Sequence, residues 1–212
     1  MNLRPIRPVP ALAGTALFVL TAALVGTGAL SFVDRYAVAH LMPWLRPRGG
    51  SLTLASLTIP TPRGSLASGL LDIWVYPASV LPSGLLVLLA AWALHRRGEV
   101  AAAIRWCALW VAANVIELIG KGLVSRPALY WHGMHVSVFD HSLPSGHTLR
   151  SLTVAAALAS TWHRGRLALV WAVTVVLILV PLGWHTPTDV AAGVFAAVAL
   201  WGWAPLPSRS RG

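Results

Sequence analysis

Three polar clusters interrupt an otherwise apolar chain, and their side chains are of the types that act on phosphate esters. Residues 121–127 read Lys-Gly-Leu-Val-Ser-Arg-Pro, residues 144–147 read Pro-Ser-Gly-His, and residues 184–189 read Trp-His-Thr-Pro-Thr-Asp. Together they supply two cations, a turn of small residues, two histidines and a carboxylate. This set contains the groups needed to bind an anion, attack phosphorus and protonate a leaving oxygen.

The first cluster carries Lys121 and Arg126, separated by a glycine-containing turn and followed by Pro127. Two such cations suit a phosphate dianion, because arginine binds it through a planar fork and lysine as a point charge. The alternative is that both side chains only extend to the membrane interface. Lys121 is the only lysine in the chain, which favours a specific function.

The second cluster places small residues at the expected start of a helix. Free backbone N–H groups at a helix start bind anions. Ser145 can donate its hydroxyl, and Gly146 lets a phosphate approach closely. His147 then lies in the first turn, where it can give a proton to a leaving oxygen. The alternative is a helix cap followed by an interfacial histidine.

The third cluster spaces His185 and Asp189 four residues apart, with Pro187 at the expected helix start. This spacing allows the carboxylate to bond one ring nitrogen, which leaves the other as an unprotonated nucleophile or base. The alternative is a capping aspartate beside an unrelated histidine. Asp189 is one of only six acidic residues and adjoins an apolar stretch, where ionisable groups usually have a function.

These clusters resemble the type 2 phosphatidic acid phosphatase family of membrane lipid phosphatases. That family carries, in this order, Lys-six residues-Arg-Pro, then Pro-Ser-Gly-His, then Ser-Arg-five residues-His-three residues-Asp. The middle motif matches fully, and His185 and Asp189 match the histidine and aspartate of the third. The resemblance extends from about Lys121 to Asp189.

Two positions depart from the family pattern. Many members read Arg-Pro-Arg-Pro in the first motif, whereas this chain keeps Arg126 and Pro127 and continues with Ala128-Leu129. In the third motif, Ile178-Leu179 replaces Ser-Arg, so an expected phosphate-binding arginine is absent. Arg150, one helical turn after His147, is the nearest candidate to replace it.

The resemblance implies metal-independent phosphoryl transfer without a cofactor. His185 would attack phosphorus, Asp189 would hold the tautomer of its ring, and His147 would protonate the leaving lipid oxygen. The phosphate oxygens would be held by a further set of residues, which we expect to comprise Lys121, Arg126, Ser145, the backbone of Gly146, and Arg150.

Composition assigns this chemistry to a membrane. Of the 212 residues 57% are hydrophobic and 10% are charged, against about 25% charged in soluble domains. The net charge of +10 is distributed in short patches between apolar runs, which favours topology control and anionic headgroups over nucleic acid. One cysteine, Cys107, excludes a disulfide framework within the chain.

The elements that must position these clusters are expected to be helices. A spanning helix needs roughly 20 mostly apolar residues. Six stretches approach that length, so we expect an all-α polytopic membrane protein with six transmembrane helices in one bundle, forming a single domain over residues 1–212. The stretches are 9–33, 74–94, 100–120, 147–163, 167–184 and 187–205.

Orientation is expected from the distribution of lysine and arginine. With the N-terminus inside, nine of the 16 cations fall inside and seven outside, which favours both termini inside. All three clusters then lie on the outer face, which we expect to be that of a bacterial inner membrane. Loop 34–73 is expected to form short amphipathic helices on the membrane, and loop 121–146 to cover the site.

Two other interpretations stay open at this stage. A metal could be held by histidines together with Asp189, although the His-x-x-His spacing is a weak signal. The candidate ligands are His132, His135, His141, His147 and His185. Alternatively, the chain binds or transports a lipid phosphate without catalysis. The sequence leaves open both the lipid, whether polyprenyl pyrophosphate, phosphatidate or another, and the oligomeric state.

Overall fold

A computed structural model describes residues 3–4, 8–43, 45, 66–204 and 206–207. Over these residues the chain forms eight α-helices, joined by turns and short 3-10 segments. The helices are α1 (Pro8–Gly26), α2 (Ser31–His40), α3 (Leu66–Val75), α4 (Val80–Arg96), α5 (Val100–Leu123), α6 (Gly146–Thr161), α7 (Leu167–Ile178) and α8 (Pro187–Trp203).

Helix α6 lies at the centre of the bundle and packs against α4, α5, α7 and α8. Its small and branched side chains allow this close packing, and Leu149, Val154 and Ala157 are fully or almost fully buried. Helix α1 packs along α8. The strands are two residues long: β1 (Leu3–Arg4) pairs with β4 (Leu206–Pro207), and β2 (Tyr130–Trp131) pairs with β3 (Met134–His135), both antiparallel.

The outer surface of the bundle is apolar, as in a membrane protein. Large side chains such as Leu85 on α4, Leu118 on α5 and Leu177 on α7 are about two thirds exposed, and a water-soluble surface would not present so many of them. Among the described residues, α1 and α5 are long and apolar enough to cross a membrane. A third crossing results if α3 and α4 form one bent span.

The all-α prediction is confirmed, while the count of six spans stays a prediction. Helices α6, α7 and α8 have 16, 12 and 17 residues, fewer than the roughly 20 that cross a bilayer. The fifth stretch was expected to reach residue 184, but α7 ends at Ile178. Pro181 cannot donate a helical hydrogen bond, and Gly183 adopts a positive φ of 65°.

Two other predicted spans are interrupted. The first was expected to continue from 9 to 33, but α1 ends at Gly26, and Gly28 adopts a φ of 80°, a conformation that stops a helix. The second corresponds to α4 together with the end of α3, with a bend of 51° between them. Pro77 lies in the 3-10 turn at this bend.

The two long loops are only partly as expected. Loop 34–73 contains the end of α2 and most of α3, while residues 46–65 fall outside the described residues. The membrane-surface placement expected for this loop stays a prediction. Loop 121–146 forms the β2–β3 hairpin and a 3-10 turn at Ser137–Phe139, whose Phe139 is fully buried. This loop packs against the end of the bundle that carries the polar clusters.

Close packing of α1 on α8 yields a stability prediction. A Cβ at Gly14 would lie 2.6 Å from the backbone nitrogen of Ala199, whereas a Cβ at Gly69 in α3 would meet nothing within 4 Å. Gly14→Ala should therefore destabilise the protein by about 1–3 kcal/mol. Gly69→Ala should be neutral or stabilising, by up to about 1 kcal/mol. Thermal unfolding in detergent micelles measures both, and equal melting temperatures would contradict this packing.

Candidate active site

The two histidines of the second and third clusters face each other. Ser145 is the N-cap of α6 and accepts a hydrogen bond from the backbone N–H of Thr148 at 3.2 Å, which fixes His147 in the first turn. His185 lies in the turn before α8. The ring centroids of His147 and His185 are 5.7 Å apart, and the ring of Trp184 packs edge-on against His147 at 4.8 Å.

Asp189 lies beside His185, in the first turn of α8. Its Oδ2 lies 3.6 Å from Nδ1 of His185 and accepts hydrogen bonds from the backbone N–H of Thr186 at 3.1 Å and from Oγ of Ser142 at 2.6 Å. Thr186 and Asp189 form a capping box, so one carboxylate both starts the helix and faces the histidine. Asp189 therefore caps the helix, and its Oδ2 also faces Nδ1 of His185, at a distance longer than a hydrogen bond.

Burial favours the neutral form of the His185 ring. Burial lowers the pKa of His185 below its usual range, although the carboxylate of Asp189 raises it, and the positive charge of Lys121 lowers it further. A neutral ring with Nδ1 directed at a carboxylate leaves Nε2 with a lone pair. Nε2 of His147 is buried and has no hydrogen-bond partner among the described residues, so it is available to a ligand.

Arg126 contacts two carboxylates. Nη1 donates to Oδ2 of Asp34 at 2.7 Å and to Oγ1 of Thr186 at 2.7 Å, and Nη2 donates to Oδ1 of Asp189. The guanidinium is almost fully buried. The sequence predicted that Arg126 binds phosphate. In the structure its guanidinium is ion-paired with Asp34 and Asp189.

Asp34 was not among the residues predicted for the site. It lies in the first turn of α2, is buried, and accepts hydrogen bonds from Oγ1 of Thr188 at 2.7 Å and from the backbone N–H of Thr188 at 3.3 Å. The sequence placed it at the start of an external loop. Its rarity as one of six acidic residues was the only signal available.

Lys121 and Arg150 meet at a third carboxylate, Glu117, which was also not among the residues predicted for the site. Nζ of Lys121 donates to Oε1 of Glu117 at 2.6 Å, and Nη1 of Arg150 donates to Oε2 of the same side chain. The Glu117 carboxylate lies against Gly146, where it would overlap any Cβ. The structure thus brings both predicted phosphate ligands to the start of α6.

Arg150 turns into the bundle and not toward lipid headgroups. Its Nε donates to the carbonyl oxygen of Ala78 at 2.8 Å, and Nη1 also donates to Oδ1 of Asn114 at 3.1 Å. Ala78 belongs to the same apolar cluster as Leu179, the residue at the position of the missing arginine. The guanidinium of Arg150 therefore lies next to the region from which the third-motif arginine is absent.

The remaining histidines of the metal hypothesis lie apart from this pair. His132 and His135 are exposed on the β2–β3 hairpin, and Nε2 of His135 lies 2.9 Å from Oδ1 of Asp140. His141 is also exposed. Across the described ranges, no group of three or more His, Cys, Asp or Glu side chains is arranged to hold a metal ion.

Comparison with known proteins gives one family and one solved structure. The family model of the PAP2 superfamily matches residues 105–207, and no curated protein matches the chain. A solved structure described as the first transmembrane PAP2 type phosphatidylglycerolphosphate phosphatase from Bacillus subtilis is similar to this one, with a TM-score of 0.60 and 18% sequence identity. The similarity covers 91% of this chain and 92% of that chain and shows a shared fold. Residues 105–207, which contain all three polar clusters, therefore belong to the PAP2 superfamily.

Proposed function

We propose that this protein is an integral membrane phosphatase that hydrolyses a lipid phosphate or a polyprenyl pyrophosphate through a phosphohistidine. The observation that carries the proposal is the pair of facing rings of His147 and His185, 5.7 Å apart, with Asp189 directed at Nδ1 of His185. A nucleophile, its orienting carboxylate and a proton donor are the parts that such a displacement needs.

The reaction proceeds in two displacements. Nε2 of His185 forms a bond to phosphorus while the bond from phosphorus to the lipid oxygen breaks, and His147 gives that oxygen a proton. Asp189 stabilises the positive charge that develops on the ring of His185. Water then attacks the phosphohistidine, His147 takes a proton from it, and the nitrogen–phosphorus bond breaks to release inorganic phosphate.

Lys121, Arg150, Ser145 and the backbone of Gly146 hold the phosphate oxygens in this proposal. Their convergence at the start of α6 supports the assignment, because helix N-termini and cations stabilise the charge of a transferring phosphoryl group. Arg150 replaces the arginine that is absent at Leu179. Its hydrogen bond to Ala78, whose cluster contains Leu179, supports this replacement.

Arg126 has a positioning role in the same proposal. It holds Asp189 in place through an ion pair and relates it to Asp34. The orientation of His185 therefore depends on Arg126, although the guanidinium donates its hydrogen bonds to Asp34, Thr186 and Asp189 and to neither histidine.

An apolar groove supports a lipid as the substrate. The groove measures about 570 Å³ and lies between α1 and α5, where Phe18, Ile116 and Ile119 form part of its wall. It reaches Gly120, next to Lys121. A hydrocarbon chain lying in this groove would keep the phosphate of the same molecule near Lys121, with the chain still in contact with the bilayer.

The substrate is expected to reach the site from the outer leaflet of a bacterial inner membrane. The distribution of cations supports this orientation. Phosphatidate, phosphatidylglycerol phosphate and polyprenyl pyrophosphate share the chemistry that the site would recognise, a terminal phosphate on a long apolar chain. The partners of the chain are then the bilayer and its lipid substrate, with no nucleic acid.

Phosphate release from purified lipid phosphates tests the proposed function. The protein in detergent micelles should release phosphate, and chelator should leave the rate unchanged. His185→Ala should abolish turnover because it removes the attacking atom. His147→Ala should reduce turnover of a lipid phosphate by about 100-fold or more, but reduce turnover of a nitrophenyl phosphate less, since nitrophenolate leaves with little protonation.

His135→Ala is the control, because this histidine is exposed on the hairpin, and its activity should equal that of the unmodified protein. Equal losses on good and poor leaving groups would contradict the role of His147. Binding of a lipid phosphate without any phosphate release would favour the binding or transport function, and loss of activity with chelator would favour a metal enzyme.

Arg126→Ala should lower kcat by about 100-fold or more, with a smaller change in KM, because it leaves Asp189 without its ion pair. Steady-state kinetics separate the two constants. Arg35→Ala is the control, since Arg35 is exposed on α2 beside Asp34. A large rise in KM at unchanged kcat would instead indicate that Arg126 binds the substrate phosphate.

The topology is tested by reporter fusions after residues 97 and 165 and at the C-terminus. With six spans and the N-terminus inside, all three fusions should report the inner side. A fusion after residue 165 that reports the outer side would contradict the outer placement of the site, because α6 carries the histidine cluster at its opposite end.

A further inference from the structure

Glu117 occupies the place that the proposed function gives to the substrate phosphate. Its side chain is 11% exposed, and its two oxygens accept hydrogen bonds from Lys121 and Arg150. The same carboxylate lies against Gly146 in the first turn of α6. A carboxylate held by two cations at a helix N-terminus has the contacts that a bound phosphate would have.

We propose that Glu117 is an internal anion that competes with the substrate phosphate and weakens the binding of a doubly charged phosphate more than that of a singly charged one, an inference that rests on the proposed function. When a phosphate binds against Gly146, the Glu117 carboxylate withdraws from that contact and stays near the two cations. Glu117 then determines how much negative charge the site accepts.

The charges around the site carry this inference. Lys121 and Arg150 provide two positive charges, and Glu117 cancels one of them. The guanidinium of Arg126 is not part of this group, because it is ion-paired with Asp34 and Asp189. The group formed by Lys121, Arg150 and Glu117 therefore keeps one net positive charge, where the family pattern would add an arginine in place of Leu179.

A purely structural role for Glu117 makes the opposite prediction. If the carboxylate only held Lys121 and Arg150 in place, its neutral isostere would weaken phosphate binding. Arg150 has two other acceptors, the carbonyl oxygen of Ala78 and Oδ1 of Asn114. These contacts keep the Arg150 guanidinium in position when the charge of Glu117 is removed. A glutamine at position 117 therefore no longer neutralises the charge that Lys121 and Arg150 offer to the ligand.

The test compares Glu117→Gln with the unmodified protein and uses two probes, inorganic phosphate and dimethyl phosphate, at about pH 8, where the first is mostly a dianion and the second a monoanion. Binding is measured as the increase in melting temperature with probe concentration in detergent micelles. Because Coulomb energy scales with the product of the charges, Glu117→Gln should tighten phosphate binding about tenfold and dimethyl phosphate binding about threefold.

Glu99→Gln is the matched control, since Glu99 is exposed at the start of α5, and it should change neither affinity. Unchanged or weaker phosphate binding by folded Glu117→Gln overturns the proposal, and equal gains in affinity for both probes overturn the charge dependence.

If Glu117→Gln does not fold, Glu117→Asp is measured instead. Its shorter side chain withdraws the carboxylate from Gly146, so it must bind phosphate more tightly than the unmodified protein, and any other result overturns the proposal. Probe binding needs no turnover, so a protein that binds phosphate but releases none contradicts the proposed function alone.

Discussion

The buried ion pairs of Arg126 are the interaction on which the rest of the site depends. The guanidinium joins Asp34 at the start of α2 to Asp189 at the start of α8, so it connects three segments that are far apart in the chain. An unpaired charge in such a buried position would cost several kcal/mol. Arg126 therefore holds Asp189 together with the hydrogen bonds from Ser142 and Thr186, and in the proposed function the orientation of His185 depends on it.

Pairing of charges also explains how so many ionisable groups can lie at one end of an apolar bundle. Asp34, Glu117 and Asp189 are three of the six acidic residues, and each has a cation as its partner. The same low dielectric that makes an unpaired charge expensive makes a correctly placed one effective on a substrate. The three cations Lys121, Arg126 and Arg150 equal these three carboxylates in number, so the cluster as a whole carries no net charge.

The helical bundle positions the cluster through close backbone contact. Helix α6 is surrounded by four other helices, which fixes Ser145 and His147 at its start. Helix α7 ends at Ile178 and α8 begins at Pro187. The irregular segment between them contains His185 and places its ring beside that of His147. A buried irregular backbone is tolerated where protein side chains satisfy its polar groups, as Asp189 does for the N–H of Thr186.

The sequence by itself determined the helical class, the three clusters and the family. Apolar runs of nearly spanning length predict helices, because a helix forms all its backbone hydrogen bonds within one segment and needs no water to do so in lipid. The local spacing of His185 and Asp189 also predicted their contact, since residues four apart at a helix start are neighbours. The ends of α1 and α7 could not be predicted as well, because a glycine with positive φ and a proline interrupt runs whose hydropathy continues.

Only the tertiary structure decided which carboxylate meets which cation. Arg126 and Asp34 are 92 residues apart and Arg150 and Glu117 are 33 apart, and no local pattern relates such residues. A charged side chain buried in a bundle pairs with whichever opposite charge the packing of the helices brings near it. The chemistry proposed for the histidines thus rests on their spacing, whereas the ion pairs of Arg126 and the contact of Glu117 with Gly146 follow from how the helices pack.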